Sequence, residues 1–250
     1  MYLLLSGEGP GDIGACNPSA ESCDTDTFKA GPMAWIVDQL IESFLGYDFS
    51  HFQTERVSFV SEAYLASHRQ KPVKKAMSLR GKKKPIETKY FFENARALAT
   101  AAKFKADEVD EDVIAVLFRD SDGTASAGRG NWRDKRNSMI NGFKVEEFEL
   151  GVPMVPKPKS EAWLLCSVKN NPYQGCDNLE EESGNDKAPN PLKKQLSDAL
   201  KGNFSTSDLN TLVQEKIDLH QIKMPSFNAF KNNLKHVVKV ATGNKTEIKI

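Results

Sequence analysis

The chain has no long hydrophobic run. No apolar segment approaches the about 20 residues that a bilayer-crossing helix needs, so a membrane role is not expected. The first apolar stretch has no basic segment before it and meets an acid at Glu8, which does not fit a secretory leader. There is no net charge either, because 34 Lys and Arg face 34 Asp and Glu. Any nucleic-acid surface must come from local clustering. The phosphate-loop string G-x-x-x-x-G-K-[ST] is absent, so energy from ATP would have to come through another protein. Cysteine is scarce: Cys16, Cys23, Cys166 and Cys176 form no C-x-x-C pair and have no spaced histidine pair nearby. Structural zinc is therefore not expected, and reduced thiols in a cytoplasmic protein are. Internal repeats and low-complexity tracts are lacking too.

What is present suits an ordinary globular chain. Its 250 residues are 39% hydrophobic and 27% charged, enough to bury a sizeable core. Met1–Asp12, MYLLLSGEGPGD, reads as a short buried strand over Tyr2–Ser6 that stops at a glycine and delivers Glu8 into a turn. Val113–Phe118 ends in the same manner and delivers Asp120 and Asp122 in the string FRDSDG. Between them the spacing predicts a helix over Met33–Leu45, a strand over Arg56–Val60 and a helix over Ile86–Lys105. A fourth strand is expected within Val145–Val155, and a helix after Ser160, its expected N-cap. Alternating strands and helices predict an α/β fold with a mostly parallel, four-stranded sheet flanked by helices. In such sheets the ligand site lies beyond the carboxyl ends of the strands, where Glu8, Asp120 and Asp122 fall.

The organisation expected is a catalytic α/β unit over residues 1–170, a linker or exposed insertion over 171–191, and a helical appendage over 192–250. The loop Gly9–Gly31 is long for a connection, as functional or mobile segments are. The basic run Arg69–Lys84 holds eight cations and no acid, and it ends in Lys82, Lys83 and Lys84. With Arg129 and Arg133 it is the expected phosphate-binding surface. Trp163 is expected in the core.

Hard divalent cations take oxygen ligands, with water and substrate phosphates completing the shell. Asp120 and Asp122, two apart on extended chain, point the same way, and Glu8 closes the site from the neighbouring strand end. Asp12, four residues after Glu8, would serve a second ion. Two such ions clamp the attacking and leaving oxygens of a phosphodiester. Lys157, Lys159, Arg129 or Arg133 would neutralise the charge that develops.

These residues also carry a resemblance. The glutamate in LLLSGEGPGD and the D-x-D in VLFRDSDG resemble the Toprim domain of topoisomerases, primases and OLD-family nucleases. PKPKSEAWLL is similar to the P-K-x-x-E-x-W-L segment of Toprim-like proteins of mobile elements and phage-defence islands, and PSFNAF to the segment near their ends. The resemblance implies a Toprim-like fold and Glu8, Asp120 and Asp122 as metal and catalytic residues. It implies Asp12 and Glu161 as further metal acids, with Lys159 beside them. It implies Mg2+ or Mn2+ as cofactor, nucleic acid as substrate and a separate ATPase as partner; self-association is left open. One departure is the length of the loop after Glu8, which runs to Gly31 with two cysteines in it. Two rivals stand beside the nuclease. One is a regulatory subunit whose chemistry is absent or gated by a partner. The other is a phosphotransfer or phosphatase unit of another doubly wound fold.

Overall fold

Along the first strand, β1 (Tyr2–Gly7), apolar side chains alternate between two buried faces. Leu3 and Leu5 enter one core; Tyr2 and Leu4 enter the other. Burial on both faces is what a central strand of a parallel sheet requires. The computed structural model describes residues 1–70, 88–121 and 131–243. Expected site residues Asp122, Arg129, Lys82, Lys83 and Lys84 lie outside them.

After β1 the loop expected over Gly9–Gly31 contains structure that the sequence pattern did not announce. One turn of π-helix (Gly9–Ile13) leads to β2 (Gly14–Cys16), β3 (Ser22–Asp24) and β4 (Phe28–Ala30), with β2 and β4 paired antiparallel. Then follow α1 (Pro32–Leu45), β5 (Val57–Ser61), α2 (Glu62–Ser67), α3 (Lys89–Val109) and β6 (Val113–Phe118). The remainder runs α4 (Trp132–Val145), β7 (Gly151–Met154), α5 (Ser160–Val168), α6 (Leu192–Ala199), α7 (Thr206–Lys216) and α8 (Pro225–Ala241).

The main sheet has five strands where four were expected, in the order β3-β5-β1-β6-β7. Strands β5, β1, β6 and β7 are parallel; β3, from the long loop, adds an antiparallel edge on β5. The fold is α/β and mostly parallel. Helices α1 and α5–α8 cover one face, and α2–α4 cover the other. The chain leaves β1 toward β5 and leaves β6 toward β7, so the two strands part ways at their carboxyl ends. This is the switch point at which such sheets open a crevice.

The C-terminal helices share the core of α1. Trp163 of α5 is fully buried, stacks on Phe230 at 5.7 Å between centroids and meets Phe227 edge-on at 5.0 Å. Its indole N–H donates to Ser226 Oγ at 2.8 Å. Removing either phenylalanine ring is worth about 3–5 kcal/mol. This packing fixes the start of α5, on which two residues of the candidate site depend.

The expectation of reduced thiols is corrected. Cys16 is bonded to Cys23 and Cys166 to Cys176, with Cα–Cα separations of 5.8 and 5.3 Å. The first bond joins the end of β2 to edge strand β3, and the second joins α5 to a turn at Cys176–Glu181. Neither pairing follows from spacing: the first depends on strands too short to recognise in the sequence, and the second on how the chain after α5 folds back on that helix. Among the described residues no helix is long and apolar enough to cross a membrane.

Candidate metal and phosphate site

Gly7 brings the two acid-bearing strand ends together. A Cβ there would lie 2.5 Å from the carbonyl oxygen of Phe118, its register partner on β6. Only glycine permits that approach. Glu8 follows at once, and its Oε1 accepts the backbone N–H of Asp120 at 3.1 Å. The next residue, Gly9, turns the chain with φ +82°, and a Cβ there would strike the Asp12 carboxylate. The turn therefore folds Asp12 back beside Gly9.

Ser160 joins the remaining acids. Its backbone N–H donates to Asp120 Oδ1 at 3.0 Å, and its hydroxyl donates to Asp12 Oδ1 at 2.5 Å. The expectation that Ser160 is the N-cap of α5 is thereby corrected: Lys159 holds that place and gives no side-chain cap. Asp120, arriving from β6, supplies the missing acceptor at the start of α5. A carboxylate is favoured there by the helix dipole. Glu161 stands in the first turn of α5.

Burial pushes the Asp12 carboxyl above the usual range, against the pull of the Ser160 hydrogen bond and the charges of Lys159 and Lys193. Burial also raises Glu161, and the negative charge of Asp12 raises it further. Glu161 thus lies within electrostatic reach of Asp12. Glu8 is different, because Arg119 Nη2 lies 3.0 Å from its Oε2 while the same guanidinium grips Glu62. Lys159 pairs with Asp186 at 2.9 Å.

Of the expected residues, the structure links Glu8 to Asp120 directly and Asp120 to Asp12 through Ser160, and it places Lys159 and Glu161 within electrostatic reach of Asp12. Arg133 is exposed on the first turn of α4. Three contributors were not foreseen. Ser160 was taken for a cap only. Arg119 sits in the expected string FRDSDG, where a cation beside the first aspartate was the available signal. Lys135, buried on α4, donates to the carbonyl of Ser121 at 2.7 Å and pins the residue after Asp120. No sequence pattern marks it.

The donor chemistry suits a hard divalent ion: oxygen donors only, from carboxylates, some of them desolvated. Among the described residues, however, no three His, Cys, Asp or Glu are grouped closely enough to hold a metal. Asp122, an expected ligand, is outside them. Comparisons with family models, with curated proteins and with solved structures return no match.

Proposed function

We propose that the chain is a Toprim-like hydrolase that cuts phosphodiester bonds in DNA or RNA with Mg2+ or Mn2+, as an effector of anti-phage defence working beside a separate ATPase. One observation carries the reading. Glu8 and Asp120, 112 positions apart, meet at the switch point of a parallel sheet, and Ser160 ties Asp120 to Asp12. Asp12 raised by burial, and Glu161 raised by burial and by the charge of Asp12, support a site at this switch point.

Glu8, Asp12, Asp120, Asp122 and Glu161 are the residues that would hold the metal. A divalent ion bound there supplies Lewis acidity toward a phosphate and an acidified water. The chain's own residues do the rest. Ser160 holds Asp12 and Asp120 in register, Lys135 fixes the Ser121 carbonyl, and Lys159 places a cation next to Asp12 and Glu161. Lys82, Lys83, Lys84, Arg129 and Arg133 are proposed to hold the rest of the nucleic acid. A cytoplasmic location goes with such a substrate. Disulfides are uncommon in that compartment, so free-thiol titration of protein drawn from cells decides whether the two bonds survive there.

The Arg119–Glu8 ion pair favours a second reading, a subunit gated by its partner. An arginine that neutralises the first acid opposes cation binding until something draws it away. The experiment is cleavage of plasmid, single-stranded DNA and tRNA with Mg2+ or Mn2+, beside Glu8→Gln, whose amide oxygen still accepts the Asp120 N–H. Cleavage lost in the variant supports the hydrolase. Cleavage by Arg119→Gln but not by the unaltered protein supports gating. Equal cleavage by the unaltered protein and Glu8→Gln overturns both.

A further inference from the structure

Beside the acids, α6 borders a cleft that carries cations as well as acids. Its volume is about 540 Å3, and Lys193, Lys194, Asn203, Asp186 and Asp198 line it. It adjoins the candidate site through two links. Asp186 on its rim pairs with Lys159, the residue just before Ser160. The charge of Lys193 reaches the Asp12 carboxyl. A Cβ on Gly11, in the turn that carries Asp12, would lie 3.6 Å from the hydroxyl of Thr206, where α7 begins.

The two lysines are the informative feature. Both are exposed, and among the described residues neither makes an ion pair. Asp186 is engaged by Lys159, and Asp198 is the other acid of the lining. Two ammonium groups and a carboxamide with hydrogen-bond donors converge on one open space. Those donors suit an anion, with Asp186 already taken up by Lys159. A lysine that lends its charge to an acid of a proposed phosphodiester site stands where the next phosphate of a chain would fall.

We propose that the α6 cleft, through Lys193 and Lys194, binds a backbone phosphate adjoining the one at the acids, so that a polynucleotide lies across α6. The inference rests on the hydrolase reading for what happens next door, but binding itself does not require cleavage. It assigns the helices after Leu192 a part in holding substrate, which the acid motif alone does not.

The test is equilibrium binding of fluorescent 12-nucleotide DNA and RNA strands to the full chain in EDTA, over a series of salt concentrations. The variants are Lys193→Gln/Lys194→Gln, Lys144→Gln/Lys239→Gln at the opposite end of the sheet as an equal-charge control, and Asp120→Asn. Loss of both α6 lysines weakens binding about 5- to 10-fold and flattens the salt slope by about 1. The control pair leaves slope and affinity near the unaltered values, and Asp120→Asn, which removes a negative charge beside the strand, does not weaken binding. An effect on one strand type alone identifies that polymer. A slope unchanged in the α6 variant, an equal loss in the control pair, or no binding by the unaltered protein overturns the inference. Binding that depends on α6 in a protein that cleaves nothing under any metal leaves the cleft standing and sinks the hydrolase.

Discussion

The two ends of the same parallel sheet treat their acids in opposite ways. At the amino ends, Glu111 precedes β6 and is met by the Met1 amino group and by Arg56 at 2.6 Å. The hydrogen bond from the Met1 amino group, with Arg56 adding its charge, holds the Glu111 carboxyl below the usual range. At the carboxyl ends, burial lifts Asp12 and Glu161 above it. One end is satisfied as it stands and closes the sheet. The other holds two acids that burial disfavours as anions. A chain selected only for stability gains little from such groups, since desolvating a carboxylate is costly. The difference teaches where to look for chemistry before any motif is invoked.

The largest expected effect tests whether the carboxyl end does chemistry at all. Asp120→Asn keeps an oxygen that accepts the Ser160 N–H, so α5 stays capped, but it removes the charge. Cleavage should fall by roughly 10- to 100-fold, with a circular-dichroism melt close to that of the unaltered protein. Asp120→Ala is the poorer variant, because it also strips a helix cap worth about 1 kcal/mol. A Tm drop with full activity in either variant would make Asp120 a cap and nothing else.

Next in size are the disulfides, which brace the acid-bearing end. Cys16–Cys23 follows the turn that carries Asp12, and Cys166–Cys176 anchors the helix that carries Glu161. Each closes a short loop and is worth about 2–3 kcal/mol in the chain-entropy account. Opening one by Cys→Ser pairs should lower Tm by about 5–10 °C in a chain of this size. A change under 2 °C would show that the braces do not oppose the crowding of charge.

How much of this was readable beforehand divides along physical lines. β1, β6, α1 and α8 were legible because long apolar runs or a 3.6-residue period mark them. Glu8 and Asp120 were legible as acids just past buried runs. The three strands of the Gly9–Gly31 loop were not, since each has three residues and Ser22–Asp24 carries no apolar alternation. The strand expected within Val145–Val155 is confined to Gly151–Met154. Helix α4 runs on to Val145, and the chain then turns at Glu147 with φ +50°. A Cβ on Gly151 would strike the Phe143 ring, so helix and strand pack closer than a pattern reveals. Ser160, Arg119 and Lys135 act through contacts across the fold, which no local window contains.

Metal addition sharpens the comparison further. Anything that binds only the folded state stabilises it by RT ln(1 + [L]/Kd). Mg2+ at ten times its Kd should add about 1.4 kcal/mol, or about 3–5 °C. Asp12→Asn should remove most of that gain, while Glu111→Gln should leave it whole. Equal Mg2+ stabilisation in both variants would place the ion elsewhere.

The smallest effect is the most direct, because its sign differs between the two ends. A carboxyl raised on folding is disfavoured as the anion. Its stability contribution is complete below the unfolded pKa of about 4 and fades as pH rises through the folded value. Without metal, Asp12→Asn and Glu161→Gln should therefore raise Tm at pH 7 by about 1–3 °C and match the unaltered protein at pH 3.5. Glu111 is lowered, so its contribution is present above about pH 4 and is lost as pH falls through the folded value. Glu111→Gln should accordingly lower Tm at pH 7 and converge with the unaltered protein in acid. Adding Mg2+ should then reverse the order at the carboxyl end alone, because the anion that burial disfavours is the form a cation requires. Melts in which all three variants shift the same way at pH 7 would mean that the two ends are not different in kind.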